Sequence, residues 1–259
     1  MLEKILKKLF RKLGLRILKE KNYLKLVKNS SYVSGVNSKN RVLDLFFNTI
    51  KKQGFKPVTI IDVGAHKGTW TKECMKFFPV AKYYLFEPQQ NLCKDIRNNL
   101  EGIGNYTIFT TGVGNKNLTA NFTLHDREDS RSFSFSKEEA EERGYIQTKI
   151  PVVRLDDFVK ENNLDKPDLI KIDAEGFDLE VLEGAIDILN NTEVILVEAA
   201  VMNKRLKNSA LSVIKYLDDL DYKLFDITDI NRPFNNNVLW LCEFAFIKKN
   251  GILDKNYLA

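Results

Sequence analysis

The chain is organised around one segment, Ile60-Ile61-Asp62-Val63-Gly64-Ala65-His66-Lys67-Gly68-Thr69. A short apolar run enters this segment from Val58 and ends at an acidic residue, as a buried strand of a parallel sheet often does. Two glycines four positions apart follow, and they permit a sharp turn and the close approach of a ligand. A helical pattern begins at Thr69. The segment therefore predicts a strand, a tight loop and a helix, with a ligand at the carboxyl end of the strand.

The residue types in this loop favour one kind of ligand. Asp62 stands where the dinucleotide fingerprint G-x-G-x-x-G has its first glycine. A carboxylate there would repel a pyrophosphate by roughly 4 kcal/mol at 4 Å and moderate dielectric, whereas it would attract an ammonium group. The next predicted strand ends in Glu87-Pro88, and an acidic residue in that place typically binds ribose hydroxyls. Asp62 and Glu87 together predict a site for S-adenosylmethionine, although each alone is also compatible with an ordinary turn.

Backbone of the segment after the third predicted strand completes the predicted cofactor pocket. A third strand is followed by Thr111-Gly112-Val113-Gly114-Asn115, whose backbone we expect to line the adenine side. The predicted cofactor contacts are Asp62, Gly64, Ala65, His66, Gly68, Glu87, Pro88, Gly112, Val113 and Asp173.

Length and composition favour a single α/β domain with additions. The chain has 259 residues, of which 44% are hydrophobic and 29% charged, and these values are ordinary for a soluble globular protein with a sizeable core. Its three cysteines are widely spaced and show no metal-binding spacing. We therefore expect a reduced, cytoplasmic setting.

The positive charge is concentrated at the N-terminus. Residues 1–28 hold ten basic and two acidic residues, so the rest of a chain with net charge +5 carries about −3. The apolar residues of this segment follow helical spacing with lysines opposite, which predicts a basic amphipathic helix. No uninterrupted apolar run indicates a transmembrane helix or a secretory signal. Such a helix suits peripheral contact with an anionic membrane, or it packs on the domain or on a partner subunit.

The predicted organisation is an arm and linker over residues 1–39, a domain over 40–250 and a tail over 251–259. Nucleic acid is not an expected partner, because aromatic residues are sparse among the N-terminal lysines. The sequence does not indicate an oligomeric state. Periodicity predicts strands at 58–62, 82–87, 105–110, 118–124, 147–153, 169–172, 194–197, 222–225 and 239–247. It predicts helices at 41–52, 69–78, 91–100, 155–162, 177–185 and 211–220.

A polar insertion interrupts the alternation of strands and helices. Residues 125–134, which include His125, lie between the strands predicted at 118–124 and 147–153. An insertion of this composition is typical of a segment that covers a cofactor or contacts an acceptor, or of a solvated loop.

A second motif, at residues 171–185, is more specific than the first. It reads Lys171-Ile172-Asp173-Ala174-Glu175-Gly176-Phe177-Asp178-Leu179-Glu180-Val181-Leu182-Glu183-Gly184-Ala185. Together with residues 61–68, Phe86-Glu87-Pro88 and Arg154-Leu155-Asp156-Asp157, it resembles the FkbM family of S-adenosylmethionine-dependent methyltransferases. The resemblance covers roughly residues 40–250. It departs at His66, where the family most often has asparagine, and it does not extend to the N-terminal arm.

The resemblance implies a fold and a reaction. The fold is a class I methyltransferase sheet, Rossmann-like, with seven mostly parallel strands and helices on both faces. The reaction is O-methylation, and acceptors in the family are typically sugar hydroxyls of glycans or hydroxyls of natural products.

Acidic residues at neighbouring strand ends are the candidates for catalysis. A sugar hydroxyl is a poor nucleophile, so a general base or a metal should assist its attack on the sulfonium methyl. Asp173, Glu175 and Glu198 fall at the ends of two predicted strands, and Lys171 is placed to pair with an acid there. We favour Asp173 or Glu175 as a base without a metal. Two alternatives are a divalent cation shared by Asp173 and Glu198, and a Glu175 that only complements a helix dipole.

Two histidines and three further acids are less specific candidates. His66 and His125 are further candidates for a base, because neutral imidazole is available near pH 7. Asp178, Glu180 and Glu183 are expected on a solvated helix face. Two other functions remain open for the chain. A nicotinamide-dependent oxidoreductase is disfavoured by the missing fingerprint glycine, and a non-catalytic membrane-surface scaffold is disfavoured by the intact acidic strand ends.

Overall fold

The structure is a computed structural model and describes residues 39–124, 136–202 and 207–257. The predicted N-terminal arm, His125 and the polar insertion lie outside these residues. None of the described helices is long and apolar enough to cross a membrane.

The described residues form ten strands and nine helices. The strands are β1 (Thr59–Val63), β2 (Lys82–Phe86), β3 (Asn105–Phe109), β4 (Gly112–Gly114), β5 (Leu118–Leu124), β6 (Ile146–Arg154), β7 (Leu169–Ile172), β8 (Val194–Ala200), β9 (Tyr222–Asn231) and β10 (Leu241–Lys248). The helices are α1 (Lys39–Lys52), α2 (Thr69–Phe77), α3 (Gln90–Asn99), α4 (Lys137–Glu142), α5 (Leu155–Glu161), α6 (Asp178–Glu183), α7 (Ile186–Leu189), α8 (Ala210–Asp219) and α9 (Ile252–Tyr257).

The main sheet has seven strands in the order β3-β2-β1-β7-β8-β10-β9. Its strands are parallel except for β10, which is antiparallel to both of its neighbours. The order changes direction at β1, so the crevice above the carboxyl ends of β1 and β7 is the expected place for a ligand. The predicted fold class, a mostly parallel seven-stranded α/β sheet, is confirmed.

Two hydrophobic cores cover the two faces of the main sheet. Ile61 and Val63 of β1 pack on one face with residues of α5, α6, α7 and α8. Ile60 packs on the other face with residues of α1, α2, α3 and α9. Because both faces are covered, all five residues of β1 are buried, which explains its nearly continuous apolar sequence.

Residues after β3 leave the main sheet and form a second, smaller one. Its order is β4-β6-β5, with β4 parallel and β5 antiparallel to β6. This small sheet accounts for the break in the alternation of strands and helices that the sequence predicts.

Several elements differ in extent from their predictions. The helix predicted at 177–185 is shorter, α6 at 178–183, and a second short helix, α7, follows Gly184 and Ala185. A Cβ atom on Gly184 would lie 2.0 Å from the Gly114 carbonyl oxygen, so the helix pair packs directly on the β4 backbone there. Strand β8 continues to Ala200, which places Glu198 within a strand, and β9 is six residues longer than predicted. Helix α9 buries Leu253 in the second core.

Candidate functional site

The loop after β1 passes unusually close to the end of β7. Gly64 has φ +76°, and a Cβ atom at this position would lie 1.8 Å from the Asp173 carbonyl oxygen. The N–H groups of Gly64 and Ala65 donate to the Phe86 carbonyl oxygen at 2.9 and 3.1 Å. Only glycine combines this backbone conformation with this contact. Glycine is therefore required at position 64, because it lets the loop after β1 lie directly against the backbone after β7.

A cavity with about 770 Å³ of empty space opens beside this loop. It is called the first cavity below. Its walls come from the ends of β1, β2 and β7 and from the small sheet. The lining residues are Val63, Gly64, His66, Phe86, Glu87, Pro88, Gln89, Thr111, Gly112, Val113, Phe122, Asp173, Ala174 and Glu175. Seven of the ten predicted cofactor contacts are in this list, and the three outside it are Asp62, Ala65 and Gly68.

Glu87 is buried in the wall of the first cavity. One carboxylate oxygen accepts the His66 N–H at 2.9 Å, and the other accepts the Gln89 N–H at 2.9 Å and its side-chain amide at 3.3 Å. Burial raises the pKa of the Glu87 carboxyl to about 7, although these donors oppose the rise. The strand end thus presents an acceptor that is held by the loop after β1.

Asp62 lies beneath the loop instead of facing the cavity. Its side chain is fully buried, one oxygen accepts the Thr71 hydroxyl at 2.5 Å, and the other lies 3.5 Å from the Lys171 ammonium. Burial raises the pKa of this carboxyl, and the charge of Lys171 opposes the rise. Asp62 thus supports the loop through Thr71 and Lys171, and contact of its carboxylate with an ammonium group of the ligand stays a prediction.

Lys171 joins the acids of two strand ends. Its ammonium lies 3.2 Å from an oxygen of Asp173, 3.5 Å from Asp62 and 3.3 Å from the Gly64 carbonyl oxygen, and the residue is only 4% exposed. Burial alone would lower the pKa of this ammonium, but the carboxylates of Asp173, Asp62 and Glu243 raise it above its ordinary value. Lys171 therefore remains charged and fixes Asp173, and a proton-transfer role near neutral pH does not suit it.

Glu198 lies among several other carboxyls. Burial, followed by the charges of Asp173, Glu175 and Asp178, holds the pKa of Glu198 well above its ordinary value. Glu198 lies opposite Glu243 of β10 in the ladder and lines neither of the cavities described here. The expected proximity of Glu198 to Asp173 is present, while Asp173 and Glu175 reach the first cavity.

Asp178 is the residue that the sequence interpretation misplaced. It is fully buried, and its carboxylate accepts the N–H groups of Ala174 and Gly176 at 2.8 and 3.1 Å and the Asn208 side-chain amide at 2.6 Å. Burial raises its pKa to about 7. Asp178 thus fixes the loop that carries Asp173 and Glu175. The expectation of a solvated side chain was wrong, whereas Glu183 on the same helix is exposed.

Glu175 lies in this loop and not in the first turn of a helix. Its φ is +51°, and Gly176 follows at φ +93°. Helix α6 begins three residues after Glu175, at Asp178. Complementing a helix dipole therefore does not explain this acid.

A second cavity adjoins the first at Gly64, His66 and Asp173. It contains about 910 Å³ of empty space, and Ala65 lines it. In the described ranges, no group of three or more histidine, cysteine, aspartate or glutamate residues is arranged to hold a metal ion.

Three buried carboxyls give the stability a defined pH dependence. Burial raises the pKa of Glu87, Asp178 and Glu243 to about 7, so the folded chain retains protons that the unfolded chain releases at lower pH. The contribution of these groups is greatest below their unfolded pKa values and is lost as the pH rises through 7. We expect the free energy of unfolding to fall by roughly 1 kcal/mol per group between pH 6 and pH 8.

Denaturant titrations at the two pH values measure this difference. The Glu243→Gln variant removes one of the three groups and keeps an acceptor for the Thr228 hydroxyl, which lies 2.6 Å from the carboxylate. We expect the difference between pH 6 and pH 8 to shrink in this variant. A wild-type protein that gains stability between pH 6 and pH 8 would contradict the assignment.

Comparison with known proteins identifies a matching family and two relatives. Residues 62–224 match the family described as "Methyltransferase FkbM domain". The 2-O-methyltransferase NoeI of Sinorhizobium fredii (strain NBRC 101917 / NGR234) is 24% identical over 150 residues, which cover 54% of this chain and 62% of NoeI. The methyltransferase sdnD of Sordaria araneosa is 29% identical over 154 residues, which cover 48% of this chain and 59% of sdnD. The chain thus spans less than two thirds of the length of either relative.

One solved structure illustrates the structural similarity. The magnesium protoporphyrin IX methyltransferase of Synechocystis PCC 6803, with bound S-adenosylmethionine, aligns with 81% of this chain and 79% of its own. The TM-score is 0.48 and the identity is 8%.

Proposed function

We propose that this chain, which belongs to the FkbM methyltransferase family, transfers a methyl group from S-adenosylmethionine to a hydroxyl oxygen. The observation that carries the proposal is the first cavity, where the ends of β1, β2 and β7 meet beside the small sheet. In this proposal Glu87 accepts the ribose hydroxyls, Val113 and Phe122 pack on the adenine, and Asp173 faces the positively charged end of the cofactor. A sugar or a similar small molecule is the proposed acceptor, and transfer to an oxygen agrees with the name of the relative NoeI, a 2-O-methyltransferase.

Titration calorimetry with S-adenosylhomocysteine tests the cofactor. We expect micromolar binding to the wild-type protein and at least roughly tenfold weaker binding to Glu87→Gln, because hydrogen bonds to a charged acceptor contribute about 1.5–3 kcal/mol. The Glu101→Gln variant makes the same change at an exposed site and should bind as the wild type does. NADH should not bind, because Glu87 and Asp173 would repel its pyrophosphate. Absence of binding by S-adenosylhomocysteine, or tighter binding by NADH, would refute the proposal.

We propose Asp173 as the residue that takes up the proton of the acceptor. Its position at the junction of the two cavities supports this choice, and so does its fixed orientation next to Lys171. Glu175 lines the first cavity only and is the second candidate. Glu198 lines neither cavity, so no contact with the acceptor is proposed for it. His66 lines both cavities and remains a candidate of lower rank.

Measuring the activity of a variant that lacks the Asp173 carboxylate tests its role as the base. We expect Asp173→Asn to lower the rate of methyl transfer at least about 100-fold, in the range found for general bases. Transfer from radiolabelled S-adenosylmethionine to a glycan extract measures the rate, and the chelator EDTA should leave the wild-type rate unchanged. A fall in rate with EDTA that added magnesium reverses would instead favour the divalent cation shared by Asp173 and Glu198.

Peripheral membrane contact by residues 1–28 stays a prediction from charge pattern alone. A cytoplasmic location at the inner face of a membrane would fit it. Co-sedimentation with anionic liposomes tests this prediction. If deletion of residues 1–28 leaves the co-sedimented fraction unchanged, these residues do not bind the membrane.

A further inference from the structure

Most of the residues that line the second cavity have no predicted contact with the cofactor. The first cavity is lined by Phe122, Glu87 and Asp173, to which the proposed function assigns the adenine, the ribose and the positively charged end of the cofactor. The second cavity begins at the far side of the shared residues Gly64, His66 and Asp173. A second compound bound there would approach the first ligand at Asp173.

An aromatic side chain lines the second cavity. Trp70, in the first turn of α2, lines the cavity next to Leu43 of α1. The Trp70 ring packs edge-on against Phe47, with ring centroids 5.7 Å apart, so its plane is held by the core. Ligand pockets commonly combine such an aromatic surface with a few fixed polar groups.

The charged groups of the second cavity are mostly carboxylates. The four acids that line it are Glu73, Asp173, Asp229 and Glu243. Two lysines, Lys67 and Lys171, also line the cavity. Lys171 forms ion pairs with Asp62 and Asp173. Glu243 is further fixed by the Thr228 hydroxyl, which donates to it at 2.6 Å. Glu73 is also paired with Lys76 at 2.5 Å, and burial raises the pKa of Glu243 to about 7. The four acids accept hydrogen bonds from hydroxyl or amine groups, and because they outnumber the lysines that line the cavity, they disfavour carboxylates and phosphates.

We propose that the second cavity is the acceptor site, and that it takes an uncharged or amine-bearing ring with several hydroxyl groups while excluding carboxylated and phosphorylated ones. The ring stacks on Trp70, and its hydroxyls donate to Glu243, Asp229 and Glu73. The inference rests on the proposed function, since the first cavity must hold the methyl donor.

The arrangement accounts for every atom of the transfer. The acceptor oxygen, entering from the second cavity, forms a bond to the methyl carbon as the bond from that carbon to the cofactor sulfur breaks. The sulfur keeps the electron pair and leaves as S-adenosylhomocysteine. The hydroxyl proton passes to the Asp173 carboxylate, which both cavities share.

Tryptophan fluorescence reports on this cavity directly, because the chain has only two tryptophans. In the Trp240→Phe variant the single remaining tryptophan is Trp70. We expect millimolar methyl glucoside to change its emission when S-adenosylhomocysteine is bound. Methyl glucuronide, which differs by one carboxylate, should require at least about tenfold higher concentration, equivalent to about 1.4 kcal/mol. In the Trp70→Phe variant, Trp240 should not respond to either compound.

The possible results separate this proposal from the proposed function. If S-adenosylhomocysteine binds and neither sugar changes the emission of Trp70, the acceptor site is elsewhere. If S-adenosylhomocysteine alone saturates the Trp70 signal and the glucoside competes with it, the second cavity belongs to the cofactor and the proposal fails. If S-adenosylhomocysteine does not bind to the wild-type protein by calorimetry, the proposed function fails first.

A charge-changing variant tests the selectivity separately. We expect Asp229→Asn combined with Glu73→Gln to narrow the difference in affinity between glucoside and glucuronide. The Glu101→Gln variant changes an exposed acid that lines neither cavity, and it should leave that difference unchanged. Equal responses to the two sugars in the Trp240→Phe variant would overturn the charge selection.

Discussion

Replacing Lys171 with methionine is expected to lower the free energy of unfolding by about 3–5 kcal/mol, the range for breaking a buried ion pair by removing one partner. Lys171 is 4% exposed, and its ammonium is the cation nearest the fully buried Asp62 in the described part of the chain. Without it, the Asp62 carboxylate keeps only the hydrogen bond from Thr71. Chemical denaturation at pH 8 measures the loss.

The size of this loss should depend on pH and on Asp62. Removing the ammonium raises the pKa of the Asp62 carboxyl further in the folded chain, so the folded state binds a proton more readily than the unfolded state. Stability of the variant should therefore fall more steeply with rising pH than stability of the wild type. Combining Lys171→Met with Asp62→Asn removes the buried charge and should recover part of the loss, because the two residues are in one network.

A surface ion pair provides the matched control. Lys215 lies 2.8 Å from Asp219, and both side chains are exposed. Exposed pairs contribute little to stability, so Lys215→Met should leave the free energy of unfolding almost unchanged. Equal losses from Lys171→Met and Lys215→Met would mean that Lys171 does not compensate the charge of Asp62.

The strand ends could be predicted from the sequence because their signals are local. An apolar run, an acid and two glycines lie within ten residues, and they suffice to place β1, its loop and α2. Glu87 could be predicted for the same reason, since it directly follows a short strand of aromatic and apolar residues. The motif at residues 171–185 placed Asp173 and Glu175 at a third strand end.

The surroundings of these acids could not be predicted, because their partners are distant in sequence. The buried position of Asp62 depends on Lys171, 109 residues away. Asp178 has the pattern of a surface helix position, and only contact with Asn208 and with the preceding loop shows that it is buried. The second cavity needs Thr228 and Glu243, which the antiparallel strands β9 and β10 bring to the glycine loop.

Replacing Gly64 with alanine is expected to abolish binding of S-adenosylhomocysteine and to destabilise the chain by more than the strain of its backbone alone. A non-glycine residue at positive φ costs on the order of 1 kcal/mol. At Gly64 the added Cβ would also lie 1.8 Å from the Asp173 carbonyl oxygen. The Cβ would be attached directly to the backbone after β1, and the oxygen belongs to the backbone after β7, so the overlap can be relieved only by separating the two strand ends. That movement would displace Asp173 from Lys171 and open the wall of the first cavity.

Replacing Gly102 with alanine distinguishes the effect of backbone strain from the effect of the atomic overlap. The φ of Gly102 is +70°, close to the +76° of Gly64, and no heavy atom lies within 4 Å of its added Cβ. Gly102→Ala thus carries the same backbone strain without the overlap, and it should lose about 1 kcal/mol of stability and keep full affinity for S-adenosylhomocysteine. Thermal unfolding and titration calorimetry of both variants give the comparison. If Gly64→Ala folds as well as Gly102→Ala and binds S-adenosylhomocysteine with wild-type affinity, close contact between the β1 loop and β7 is not what shapes the cofactor site. If Gly64→Ala fails to fold while Gly102→Ala is well behaved, the contact is required even before a ligand binds, because packing of the two strand ends then limits the stability of the whole sheet.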